Sequence, residues 1–153
     1  MVDVDAAPAT EETALGFADA LVRLTHLVQR VFADVSRAHD LTSQQAQLLC
    51  VLTRGPAGMT ELTRLLHLEK SSLTGLVDRV ERRGLVARRR SSHDRRACQV
   101  ALTGKGTRLA HDTHDGITAQ LESLAGELPR TDRELVTSAV VRLLGDSGAT
   151  TGS

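Results

Sequence analysis

The sequence predicts a mainly α fold that carries one small β-hairpin. Apolar residues recur at helical spacing in six separate segments. Between Leu85 and Leu102 that period gives way to strand-like alternation. Of 153 residues only Phe17 and Phe32 are aromatic, so the core is aliphatic, which disfavours β-rich folds and aromatic base-stacking platforms.

Residues 1–12 carry Asp3, Asp5, Glu11 and Glu12 with no base and read as a disordered tail. A long first helix follows over residues 13–38, where Phe17, Leu21, Leu24, Val28, Val31 and Val35 form one stripe. Leu27 and Phe32 widen it, enough to touch more than one partner surface. His39-Asp40-Leu41 breaks the pattern. Thr42 and Gln45 then offer a capping box for a second helix through about Thr53. Arg54-Gly55-Pro56-Ala57-Gly58 stops it. The third helix is short, about Thr60–Leu66, with Leu62, Leu65 and Leu66 predicted to face inward.

The fourth helix runs from Lys70 to about Arg83 on Leu73, Leu76, Val77 and Val80, with Gly84 where a terminating glycine belongs. Leu85–Arg90 and Ala97–Leu102 read as two strands joined by the polar tip Ser91–Arg96. Cys98, Val100 and Leu102 share one face, so Cys98 is expected in the packing of the hairpin. Thr103 caps a fifth helix with a stripe of Ile117, Leu121, Leu124 and Leu128, ended by Pro129. Thr131 and Glu134 suggest a second capping box and a sixth helix bearing Leu135, Ala139, Val140, Leu143 and Leu144. Residues 146–153 read as a flexible tail.

A short helix packed across a following helix, then a hairpin with a basic tip, is the order of a winged helix-turn-helix, expected over residues 42–102. The formal net charge is zero, but it is unevenly placed. Residues 79–96 hold eight arginines against Glu81 and Asp94. Ser71, Ser72, Thr74 and Gly75 lie opposite the apolar stripe of the fourth helix, where small hydroxyl residues suit base edges in a major groove. Arg79 stands a turn further on. An arginine on a slim hairpin suits a narrow minor groove, and Asp94 is placed to pair with an arginine and aim it. The partner this implies is double-stranded DNA. Expected contacts are Thr60, Lys70, Ser71, Ser72, Thr74, Gly75, Arg79, Arg89, Arg90, Asp94, Arg95 and Arg96. Arg88, Arg89 and Arg90 alternate faces, so they cannot all meet one phosphate backbone.

The stretch Leu68–Arg90 followed by His93–Gly106 resembles the MarR family of bacterial transcriptional regulators. The resemblance rests on Asp94-x-Arg96, then Val100, then Leu102-Thr103. It implies one domain over residues 13–145, a homodimer built by helices at 13–38 and 103–145, and a pseudo-palindromic operator. It also implies repression relieved by a small, often phenolic or otherwise aromatic, effector. By matching position Ser71, Ser72, Thr74 and Arg79 are the recognition contacts and Arg96 the hairpin-tip arginine. Gly75 departs from the pattern, standing where many members carry a larger, often basic residue. A dimer also follows from the wide apolar stripes, which a three-helix head cannot cover.

Candidates by position for an effector are His26 and Arg30. His39, His111, His114 and Asp115 have ligand-like spacing, but a polar helix face is the plainer reading and no metal or cofactor is expected. Two other readings stay open. One is a metal-sensing regulator or metal-dependent enzyme using His111 and His114; the other is a winged-helix module that binds an acidic protein. The first lacks a third ligand, a nucleophile triad and a phosphate loop, so the chain is not expected to be an enzyme. Cys50 and Cys98 are too few and too far apart for a disulfide framework, and neither position advertises a reactive thiol. With no signal-like N-terminus and no apolar run beyond Leu48–Leu52, a soluble cytoplasmic protein without membrane attachment is expected.

Overall fold

The computed structural model describes residues 15–94 and 96–149. The order is α1 (Phe17–Ala38), α2 (Ser43–Leu52), β1 (Ala57–Gly58), α3 (Met59–Leu66), α4 (Lys70–Arg82), β2 (Val86–Arg90), β3 (Cys98–Leu102), α5 (Gly104–Leu124) and α6 (Arg130–Ala149). The expected tail at 1–12 lies outside the described residues; of the tail expected at 146–153, residues 146–149 instead continue α6, and 150–153 lie outside the described residues.

Local chemistry sets the helix ends. The Thr42 side chain accepts from Gln45 N and the Gln45 side chain from Thr42 N, each at 3.1 Å, closing the capping box of α2. Three left-handed residues end helices. Asp40 (φ 55°) follows α1, and His67 (φ 52°) follows α3. Gly84 (φ 73°) follows α4, where Leu85 N reaches Val80 O at 3.0 Å and Gly84 N reaches Glu81 O at 2.9 Å. That double bond pattern is a Schellman motif, and it drives Leu85 into the core.

Two cores result. The larger joins α2, α3, α4, β1, β2 and β3 through Leu48, Leu49, Leu62, Leu73, Leu76, Val77, Val80, Val86 and Val100. Burying a Leu or Val there contributes roughly 1.5–3 kcal/mol each. The smaller holds Val31 and Val35 of α1 against Ile117 of α5.

The sheet has three antiparallel strands in the order β1-β3-β2, with Ala57 opposite Val100 and Arg88 opposite Val100 on the other side. The strand β1 was not expected: its two residues lie in the segment read as a helix stop, and only pairing with β3 makes them a strand.

Several expectations are corrected. Leu65 is exposed, because the short α3 packs along a single line through Leu62. Cys98 is exposed, because its position on β3 lies beyond the edge of the head core. The helix α5 stops at Leu124, five residues before Pro129, and Pro129 instead starts α6 by accepting from Arg133 N at 3.1 Å. Thr131 therefore sits inside the first turn of α6 and does not cap it, while Glu134 pairs with Arg130 at 2.9 Å.

Candidate nucleic-acid interface

The helix α4 opens at Glu69, whose side chain makes no cap, so its first-turn N–H groups stay open. Such an end favours phosphate. Leu73, Leu76, Val77 and Val80 face the core. Lys70, Ser71, Ser72, Thr74 and Arg79 are exposed on the other side, and Gly75 is half-buried. Thr74 Oγ1 donates to Lys70 O at 2.8 Å. The Arg79 guanidinium lies back over Gly75, with Nη1 3.7 Å from where a Cβ would stand. The glycine thus leaves a low spot beside a cation. Thr60 is exposed in the first turn of α3.

The hairpin closes with Ser91 N donating to Ala97 O at 3.0 Å. Among the described residues Asp94 pairs with no arginine side chain, the role the sequence suggested for it. Its Oδ1 accepts the backbone N–H of Arg96 at 2.9 Å, and its carbonyl accepts from Ala97 N at 3.1 Å. A short acidic side chain two residues before an N–H closes a turn more readily than it reaches a flexible guanidinium. Asp94 therefore shapes the tip that carries Arg96. Arg89, Arg90 and Arg96 are exposed, and Arg95 lies outside the described residues. Arg88, Arg89, Arg90 and Arg96 line a groove of about 350 Å³ with Ala97 and Cys98.

One arginine was missed as a structural element. Arg88 Nη2 donates to Asp78 Oδ1 at 2.7 Å and Nη1 to Glu81 Oε1 at 2.8 Å. Its backbone N–H donates to Glu81 Oε2 at 3.0 Å. The hydrogen bond to Asp78 is the main reason the guanidinium holds its proton even more tightly than usual. A signal existed: alternation along β2 puts Arg88 on the Val86 side, where a cation needs partners.

The hairpin is anchored at its base. Thr103 Oγ1 donates to Gly84 O at 2.6 Å and Thr103 N to Leu85 O at 3.0 Å. A Cβ on Gly106 would lie 1.8 Å from Leu85 O, so only glycine lets α5 approach this closely. At this same C-terminal end of α4, Arg83 Nη1 donates to Asp40 O at 2.7 Å and to Gln45 Oε1 at 3.2 Å.

The remaining candidates do not converge. His26 and Arg30 are exposed on α1, and His111, His114 and Asp115 are exposed on α5, with His39 half-buried at the α1–α2 corner. Among the described residues no three His, Cys, Asp or Glu side chains gather as a metal site. Burial pushes the Cys50 thiol above its ordinary value. A groove of about 620 Å³ at the α5–α6 corner is lined by Leu128, Arg130, Arg133, Glu134, Thr137 and Ser138, and neither His26 nor Arg30 lines it. Among the described residues no helix is long and apolar enough to cross a membrane.

The sequence model of the MarR family matches residues 39–97, the segment holding α2 to the hairpin tip. Over that segment, less than half of the chain, the sequence is similar to the MarR family. It is 31% identical over 91 residues to the homoprotocatechuate degradative operon repressor of Escherichia coli, covering 59% of this chain and 62% of that relative. The chain thus aligns with less than two thirds of the length of that curated relative. The crystal structure of apo MarR from E. coli is similar with a TM-score of 0.74 at 20% identity, over 86% of this chain and 99% of that one. CouR from Rhodococcus jostii RHA1, solved with p-coumaroyl-CoA, is similar with a TM-score of 0.75 at 22% identity, over 91% and 95% of the two chains. The winged-helix head is the part of the chain where the match to the MarR family model and the likeness in fold coincide.

Proposed function

We propose that the chain is a homodimeric, sequence-specific DNA-binding transcriptional regulator, a repressor that a small aromatic ligand releases from a pseudo-palindromic operator. The observation that carries this reading is one head holding two kinds of contact surface. One is an α4 face of hydroxyl and small side chains; the other is a hairpin with exposed arginines. Ser71, Ser72, Thr74, Gly75 and Arg79 meet base edges in the major groove. Thr60, Lys70, Arg89, Arg90 and Arg95 meet phosphates, and Arg96 enters the minor groove from the turn shaped by Asp94.

Residues 42–102 form this head. Residues 13–38 and 103–145 supply the dimer contacts. Support comes from the apolar side chains that the chain leaves uncovered: Phe17 is 71% exposed, Leu135 68% and Leu144 69%. The ligand reading is supported by a relative named for an aromatic degradative operon and by a similar protein solved with an aromatic acyl-CoA. The protein acts by binding and not by catalysis.

The test is a titration of the purified protein onto duplex DNA from upstream of its own gene. Binding in low salt, weakened by hydroxylated aromatic acids such as p-coumarate, is the expected result. No binding even in low salt counts against a DNA partner and favours an acidic protein.

A further inference from the structure

We propose that Arg88 is a positioning residue that locks the β2–β3 hairpin to α4 and masks two carboxylates on that helix, so that Arg96 meets DNA at a set angle. The proposal rests on the reading of α4 and the hairpin as a DNA-binding pair.

Alternation along β2 places Val86, Arg88 and Arg90 on one face, and Val86 is buried in the head core. Arg88 stands where that face leaves the core. Asp78 and Glu81, three residues apart on α4, lie on one side of the helix and meet it. The guanidinium forks across both carboxylates, at 2.7 and 2.8 Å. Glu81 also accepts the Arg88 backbone N–H at 3.0 Å. One carboxylate thus holds the strand by main chain and side chain together, which sets register as well as angle. Only a planar fork serves two acceptors this way, and a lysine ammonium is a point charge.

Charge adds a second consequence. Asp78 and Glu81 belong to the helix that carries Lys70–Arg79, and Arg88 is their ion-pair partner among the described residues. Unmasked, both would repel phosphate. Beyond Arg90 the described hairpin residues are held by the Ser91–Ala97 bond and their own turn, so among the described residues the clamp is the last hydrogen-bonded tie between the hairpin and α4.

The experiment has two arms on the full chain. In amide hydrogen exchange, Arg88→Gln is expected to speed exchange at residues 89–98 by about tenfold, with α2 and α5 unchanged, because only a local opening is eased. In operator binding, Arg96→Ala is expected to cost about tenfold in the parent and only about twofold in the Arg88→Gln background, since coupled residues are non-additive. Ser72→Ala is expected to cost the same in both. Arg88→Lys falls between parent and Arg88→Gln. If Arg88→Gln does not fold, Asp78→Asn with Glu81→Gln carries the same expectations, because it keeps the shape and removes the charges. Unchanged hairpin exchange overturns the lock, and strictly multiplicative effects of Arg88→Gln and Arg96→Ala overturn the positioning role. A parent that binds no DNA overturns the DNA reading instead, and the exchange arm still decides the lock.

Discussion

Arginines in one short segment take different tasks according to where each side chain emerges. Arg88 is held by two carboxylates, Arg83 is stapled to the α1–α2 corner, and Arg96 rides on a turn closed by Asp94. Arg96→Ala is therefore expected to weaken operator binding by about 1–3 kcal/mol, with an unchanged melting temperature. Fluorescence anisotropy and thermal denaturation check the two halves of that expectation. The cysteines also part company. Cys98 is exposed, whereas Cys50 is half-buried with its thiol pushed upward by desolvation. Burial there disfavours the thiolate, so Cys50 keeps its proton as pH rises past the ordinary thiol range. Iodoacetamide at pH 8 should alkylate Cys98 first, by about tenfold or more. Mass spectrometry of the two peptides reads the order directly.

At the scale of elements, the N-terminus of α5 is wedged against the turn that follows α4. Gly106→Ala would drive a Cβ into Leu85 O, and Thr103 would lose its grip on Gly84. Overpacking of this kind costs about 1–3 kcal/mol or more, which lowers the melting temperature by several degrees. Differential scanning calorimetry checks it. Much at this scale was legible in the sequence, because helices announce themselves by a repeating apolar face and by caps. The Thr42–Gln45 box, the Gly84 stop and the switch of period at Leu85 all carry local signals. What depends on tertiary pairing carries none. Ala57–Gly58 becomes a strand only because β3 lies beside it. The Thr131–Glu134 spacing mimicked a capping box, while Pro129 had already opened α6 two residues earlier. At the site, the α4 face followed from its wheel, but the Arg88 clamp required knowing that β2 lies against α4.

The whole molecule pairs a well-covered head with two poorly covered ends. Phe17, Leu21 and Leu24 begin a stripe whose later members, Val31 and Val35, are buried on α5. Leu135, Val136, Val141 and Leu144 on α6 are likewise exposed. A second copy covering these faces explains both. Leu135→Asp with Leu144→Asp is then expected to turn a dimer into a monomer or to abolish stable folding. Sedimentation velocity with circular dichroism distinguishes these outcomes, and a variant that stays dimeric contradicts the assignment. The proposed dimer, with two heads on a two-fold axis, also implies a steep salt response. With about 6–10 phosphate contacts, affinity falls by roughly 10³–10⁵ between 50 and 200 mM salt. The most direct measurement is selection of bound sequences from a randomised duplex library, followed by footprinting of the winner. The account predicts an inverted repeat with half-site centres about one helical turn apart, protected symmetrically by one dimer. Failure to enrich any sequence, or protection of a single unsymmetrical site by one copy, would contradict it.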